Sequence, residues 1–499
     1  MKVRRVAVIG AGPAGAIATD ALVKEQTFDT VRVFERQDVA GGSWVLTPSE
    51  KEEHKYRLGI PSLEALIKQR ADIGVPIPKD VYNGVPVETA VTEEVNSPRL
   101  RFAETAIHED IHTKLPPESM GFSKEPIPIT VPPKQDSQSR HGPDSILRPR
   151  GEIRAWINSV FKRYGHDKLI EFGTTVESAE YIDTEDKQGK EWVLTLRKLV
   201  STKAGIKNLW WQERFDAVVV ASGHYHLPAI PDIPGLIEYD KKYPGKITHS
   251  KYYRRANHYA GKRVIVIGGS NSAFDIVHAI RETAKSPVIA AVRTPSRVYG
   301  TIPFLLPKVD LKSHVISFDA AEDKITLADG SVINGGDIDV IIFATGYDFS
   351  IPFIPEMKSV HKRIPGLYRH IFWKENPTLT FIGMITGVLG VRYFEWQAVA
   401  AARVLAGRVQ LSDHSVMDQW EKTRLAERGD GMRFWTLHPD IENHFEELRA
   451  FAGEPAPGST GRVLPKYEKE WEDVWWRLIK NRQEWWAKIA EEAKEPESS

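Results

Sequence analysis

The chain has no cysteine among its 499 residues. Disulfides, thiolate metal sites and cysteine nucleophiles are therefore excluded, as is any relay of electrons through a dithiol pair. It also lacks an excess of either charge, with 67 Lys and Arg against 67 Asp and Glu. That balance argues against nucleic acid or an anionic membrane as the main partner. No apolar run approaches the roughly 18–20 residues that cross a bilayer. A strand-like run begins almost at once, leaving no room for a secretion signal, so a soluble cytoplasmic protein is expected. No low-complexity tract or multi-copy repeat is visible. A chain this long is expected to form two or three domains rather than one core.

What is present is a pair of glycine-rich turns about a domain apart. Gly10, Gly12, Pro13, Ala14 and Gly15 follow the apolar run Val6-Ala7-Val8-Ile9 and lead into the helix-prone Ala16-Ile17-Ala18-Thr19. Gly268, Gly269, Ser270, Asn271, Ser272 and Ala273 follow Val264-Ile265-Val266-Ile267. Such turns let backbone approach a pyrophosphate that rests on a helix N-terminus. The second turn has Ser270 where its middle glycine would stand; a small side chain still permits that approach.

The residue closing each unit differs. About twenty residues after the first turn, Val33-Phe34 ends at Glu35, a carboxylate suited to a ribose with free hydroxyls, as in FAD or NAD. After the second, Ala291-Val292 ends at Arg293, a guanidinium suited to a 2′-phosphate. The alternative for Arg293 is a solvated loop arginine, with Arg297 as the clamp. The order read from these residues is FAD first and NADPH second.

Two buried strands with nearly the same ending, Ala217 to Gly223 and Val340 to Gly346, each follow a small β-meander. They predict one nucleotide domain inserted in another. The fold class expected is α/β, with two Rossmann-like dinucleotide-binding domains and a helical C-terminal part. Residues 1–225 form the first part of the FAD domain, 226–330 the inserted NADPH domain, and 331–499 the second part of the FAD domain with the C-terminal helices. Frequent prolines between Leu115 and Pro149 predict a non-repetitive loop, and Gly151 to Tyr164 has helical spacing. Trp471, Val474, Trp475, Leu478, Ile479, Trp485, Trp486 and Ile489 predict a helix docking one apolar stripe on the body.

Further motifs make the chain resemble the class B flavin-dependent monooxygenases, and within them the flavin-containing monooxygenases, including fungal members. The family's FxGxxxHxxx(F/Y/W) pattern appears from Tyr243 to Tyr253 and contains His249. The FERxxxxGGxW element is Phe34-Glu35-Arg36 followed by Gly41-Gly42-Ser43-Trp44. NSxxD stands at Asn271 to Asp275, ATGY at Ala344-Thr345-Gly346-Tyr347, and ExQA at Glu395-Trp396-Gln397-Ala398. The resemblance runs in order over most of the chain and is weakest around residues 50–100.

The resemblance implies that NADPH reduces FAD, that oxygen adds at flavin C4a, and that one oxygen atom passes to a small molecule. The flavin would carry the chemistry while the protein orients it and excludes water. It places Arg36, Gly42, Ser43, Trp44, Thr113, Thr345, Gly346 and Gln397 with the glycine residues and Glu35 at the cofactors. Asn271 and Ser272 would touch nicotinamide or the flavin edge, or else cap a helix. His249 would lie between the domains as a structural residue or a proton carrier.

One position departs from the family. Its TNxP element, whose asparagine lies by flavin C4a, corresponds here to Thr113-Lys114-Leu115-Pro116. An ammonium at Lys114 would favour a deprotonated peroxyflavin; the alternative is a lysine turned to solvent. Lys114, Asn271 and His249 are thus the candidates for the reaction itself.

N-, S- or C-oxygenation of a small molecule is the leading expectation, and fungal relatives point to a specialised-metabolite pathway. Baeyer–Villiger oxygenation of a ketone is an alternative, against which Arg254 stands where that subgroup has proline. An NADPH-dependent reductase and a flavin-binding scaffold without oxygen chemistry are the others. The absence of cysteine removes a disulfide reductase. The sequence identifies neither the substrate nor the oligomeric state.

Overall fold

Short Val- and Ile-rich runs that are apolar on both faces need cover on both sides, and they become the central strands of two parallel sheets. The computed structural model describes residues 2–47, 63–68, 74–96, 101–129, 142, 145–184, 189–357, 362–387 and 389–493. Much of the stretch around 50–100, and residues 130–141 of the proline-rich loop, lie outside the described residues.

The chain opens with β1 (Arg5–Ile9), α1 (Pro13–Lys24) and β2 (Thr30–Glu35). Helix α2 (Arg150–Arg163) leads to the short β3 (Ile170–Phe172). An antiparallel meander follows, β4 (Thr174–Asp183), β5 (Lys190–Thr202) and β6 (Gly205–Phe215), and the chain re-enters the sheet as β7 (Ala217–Val220). The second unit contains β8 (Ile247–His249), β9 (Val264–Ile267), α3 (Asn271–Ile280), β10 (Val288–Val292), β11 (Val309–Ser313) and β12 (Val340–Phe343). The chain then returns through β13 (Leu379–Phe381), α4 (Arg392–Leu405), α5 (Ile441–Ala452) and α6 (Glu470–Glu492).

Strands β13, β7, β1, β2 and β3 lie side by side and parallel, with two short antiparallel strands beyond β13. Alternate residues serve opposite faces. Val6 and Val8 enter the core beneath α1 and α4, whereas Ala7 and Ile9 face the core shared with the meander. The second sheet has the order β8, β12, β9, β10, β11, all parallel. Val264 and Val266 pack under α3, and Ile265 and Ile267 on the other side. Both sheets thus present the C-terminal ends of parallel strands to a glycine turn and a helix, the Rossmann-like arrangement expected.

β12 pairs in the second sheet, between β8 and β9, so that unit continues past residue 330. Burial on both faces marks such a strand in sequence without saying which sheet receives it. The two crossings between units run side by side: Leu227–Pro228 pairs antiparallel with Tyr347–Asp348.

Helix α6 does more than cover one surface. Trp471 belongs to the core of the first unit, while Ile479 and Trp486 belong to the core under α3. At about 1.5 Å per residue the helix is long enough to bridge both. Among the described residues no helix is long and apolar enough to cross a membrane.

Candidate active site

The first cradle forms because β1 ends just before Gly10 and α1 begins directly after Gly12, whose helix start has no side-chain cap. Backbone amides at that N-terminus are left for a ligand. Gly15 is required by close approach: a Cβ there would collide with the Gly10 carbonyl oxygen. Pro13 and Ala14 form the first turn of α1, and Ala14 lies against Gly383 beyond β13. The turn at Gly42, Ser43 and Trp44 closes over this cradle, with Gly41 N–H donating to Ala11 O at 2.9 Å.

At the tip of β2 the Glu35 carboxylate is buried and accepts from Ala11 N at 2.7 Å and Gln37 N at 2.9 Å. Burial pushes its carboxyl above the ordinary value, against the Gln37 and Ala11 amides and the Arg36 charge. Ribose hydroxyls donating to it would favour the ionised form. Gln397, on α4, is fully buried and accepts from Gly383 N at 2.9 Å. Its Nε2 has no hydrogen-bond partner among the described residues. An uncapped helix start, a steric glycine cradle, a buried carboxylate and an orphaned buried donor together fit FAD.

The second cradle repeats the design. Gly268 has φ +149°, and a Cβ there would collide with the Ala344 carbonyl oxygen. Ser270 precedes α3 without a side-chain cap, Asn271 is exposed, Ser272 is half-buried, and Ala273 is buried in the core behind. Arg293 follows β10, is exposed, and makes no side-chain hydrogen bond or ion pair among the described residues. A cation held ready beside an open helix start fits the 2′-phosphate of NADPH.

Several candidates have protein partners of their own. The Thr113 hydroxyl accepts from Arg148 N at 3.1 Å, and the Thr345 hydroxyl donates to Ala229 O at 2.5 Å in the inter-unit crossing. Gly346, φ +84°, continues that crossing and accepts from Ala229 N at 3.0 Å. His249 ends β8, is fully buried, and accepts on Nδ1 from Lys251 N at 3.1 Å. Burial, then the Lys251 charge, lowers its pKa to about 3, so the ring is neutral at ordinary pH. Lys114 Nζ forms an ion pair with Asp275 Oδ2 on α3.

Sequence reasoning missed His226. Arg36 Nη2 donates to its Nδ1 at 3.1 Å, and its Nε2 lies 2.7 Å from Ser222 O. An arginine can only donate and a carbonyl only accept, so the ring is neutral with its proton on Nε2. Burial and the Arg36 and Lys251 charges push its pKa well down, which agrees. Also missed was the clasp by Lys251 and Arg254. Lys251 Nζ donates to Glu104 O at 2.6 Å and Phe102 O at 3.2 Å, and Arg254 Nη2 to Thr105 O at 3.2 Å. Two cations following a buried histidine were the available signal.

Among the described residues no group of three or more His, Asp or Glu could hold a metal ion.

A family model for FMO-like, flavin-binding monooxygenase-like proteins matches residues 148–303 and 301–453. Flavin-containing monooxygenase iboF of Amanita muscaria is 28% identical, over 90% of this chain and 88% of that protein. Flavin-containing monooxygenase FMO GS-OX3 of Arabidopsis thaliana is 31% identical, over 82% of this chain and 75% of that protein. The solved structure of S-allyl-L-cysteine S-oxygenase from Allium sativum has the same fold, with a TM-score of 0.70 at 23% identity, covering 96% of this chain and 93% of that one.

Proposed function

Because this chain belongs to the flavin-binding monooxygenase-like family, and so is an FAD- and NADPH-dependent monooxygenase, we propose that it places one oxygen atom on a soft nitrogen or sulfur, or on an electron-rich carbon, of a small organic molecule. When bound, the flavin would accept two electrons from NADPH and pass them to oxygen. Everything else is positioning and exclusion of water.

The observation that carries this reading is the pairing of two cradles with opposite ribose readers. Glu35 would hold the FAD adenosine end by accepting from its ribose, and the uncapped α1 N-terminus would receive the pyrophosphate. Gln397 Nε2, left without a partner among the described residues beside Gly383, would be the donor offered to the flavin. Arg293 would pair with the 2′-phosphate, and Asn271 and Ser272 at the α3 N-terminus would serve the nicotinamide end. His249, neutral and buried, holds the end of β8 instead of delivering a proton as imidazolium. Fungal relatives, among them iboF of Amanita muscaria and ustF2 of Aspergillus flavus, support a role in a specialised-metabolite pathway.

Ketone oxygenation takes second place. Arg254 stands where that subgroup has proline and is nearly buried, donating to Lys251 O at 2.7 Å and Thr105 O at 3.2 Å. A proline there could make neither bond.

Incubation of the holoenzyme with NADPH, oxygen and a panel of amines, thioethers and ketones, followed by mass spectrometry, tests the reading. An amine or thioether product heavier by one oxygen atom is expected. A product formed only from ketones would move the assignment to the second reading. NADPH oxidation that reduces a quinone and leaves oxygen in no product would replace both.

A further inference from the structure

Helix α3 carries the second cradle at its N-terminus and is gripped from two sides. On one, Trp486 of α6 packs against Phe274 and His278, with ring centroids at 5.6 and 5.2 Å, and Arg482 donates to Tyr299 Oη at 2.8 Å. On the other, Lys114 forms its ion pair with Asp275.

Asp275 lies one helical turn after Asn271, so the two share a face of α3. The Lys114 end is equally fixed. Thr113 N donates to Arg148 O at 2.8 Å, and Arg148 N to Thr113 Oγ1 at 3.1 Å. Arg148 stands just before α2, whose Ile153, Trp156 and Ile157 belong to the first unit's core. A rigid path therefore runs from that core through α2, Thr113, Lys114 and Asp275 to the start of α3. Asp275 is only 8% exposed, so its carboxylate needs a partner in place. Burial works against that carboxylate, yet the charges of Lys114, His108 and Arg482 hold it below the ordinary range.

We propose that Lys114 is a positioning residue, which through Asp275 holds the start of α3 against the flavin-side unit and so keeps NADP+ docked in the cleft between the units. The inference rests on the reading of the two cradles as FAD and NADPH sites. It gives the lysine at this position a task different from contact with the flavin: its ammonium is spent on Asp275, and the positional information passes along α3. The family's asparagine, one methylene-rich stem shorter, carries no charge to make this pair.

The test uses the FAD-loaded enzyme and measures the Kd of NADP+ for the oxidised form by perturbation of the flavin absorbance. Lys114→Met and Asp275→Asn are each expected to weaken NADP+ binding about ten-fold, with FAD content unchanged. The double variant is expected to match either single rather than multiply their effects, because a latch is lost once. It also removes both members of the pair at once, so it reports even where a single variant fails to fold. Lys114→Arg is expected to recover most of the binding.

An NADP+ Kd unchanged in all of these folded variants would overturn the latch while leaving the two sites standing. Effects that multiply in the double variant would overturn it as well. A wild-type enzyme that binds FAD but no NADP+ would instead overturn the underlying assignment of the second cradle.

Discussion

The Glu35 carboxylate and the Ala11 amide meet at 2.7 Å, and that bond ties the tip of β2 to the first glycine turn. Under the proposed reading, the side chain that braces the cradle would also read the ribose of what lies in it. Glu35→Ala strips a charged acceptor from Ala11 N and Gln37 N as well as from the ribose. Charge-assisted hydrogen bonds of this kind contribute about 1.5–3 kcal/mol, so FAD affinity is expected to fall roughly ten- to hundred-fold. Equilibrium dialysis against FAD reads this directly, and an unchanged Kd would contradict it.

Arg293 makes no competing ion pair among the described residues, so its removal should act on the dinucleotide alone. Arg293→Gln is expected to raise the KM for NADPH by about ten- to hundred-fold and to leave that for NADH nearly unchanged. Steady-state kinetics with both coenzymes checks the split. An equal loss with both would move the clamp elsewhere, with Arg297 the nearest substitute in sequence.

The first glycine turn, β1, α1, β2, α2 and α6 were all legible in sequence, because each rests on a local pattern: alternating faces, helical spacing, or glycine at a fixed offset. What stayed hidden depends on partners far along the chain. Nothing in Val340 to Phe343 says that this strand sits between β8 and β9. The Lys114–Asp275 pair joins a loop to a helix of the other unit, and an ion pair has no sequence period to betray it. Gln397 was found only through the family pattern; its bond to Gly383 explains why a glutamine belongs there. Thr113 and Thr345 were likewise named through the family pattern; their hydroxyls brace Arg148 and Ala229, partners that no local pattern announces.

Arg462 illustrates the same point with consequences for stability. It is fully buried, donating to Glu395 at 2.8 Å and Glu125 at 2.6 Å and pairing with Asp20 of α1. The segment before α6 is thereby pinned to α1 and α4. Arg462→Met leaves three carboxylates facing one another without their shared cation, and a loss of about 3–5 kcal/mol is expected. Urea unfolding of the holoenzyme measures it; a change below about 1 kcal/mol would contradict the network's role.

Buried neutral histidines set the expected response to acid. Burial lowers His224 and His444 to about 4 and His249 and His278 to about 3, and it holds His226 and His370 well below the ordinary value. Unfolded, these rings regain an ordinary value near about 6.5 and take up protons that the folded chain refuses. Their contribution is therefore complete above that pH and lost progressively below it. Unfolding free energy is expected to fall from pH 6.5 towards 4, by about 1.4 kcal/mol per unit for each proton taken up. Stability that stayed flat or rose across that window would contradict the burial of these rings.

The most direct test of the central claim is a single reaction under isotopically heavy oxygen gas, with NADPH consumed, oxygen consumed and labelled product counted together. A monooxygenase built on these two cradles is expected to use one NADPH and one oxygen molecule for each product, with one labelled atom in that product and the other in water. A purified chain that takes up no flavin, or one that consumes NADPH and oxygen while every product stays unlabelled, would contradict it.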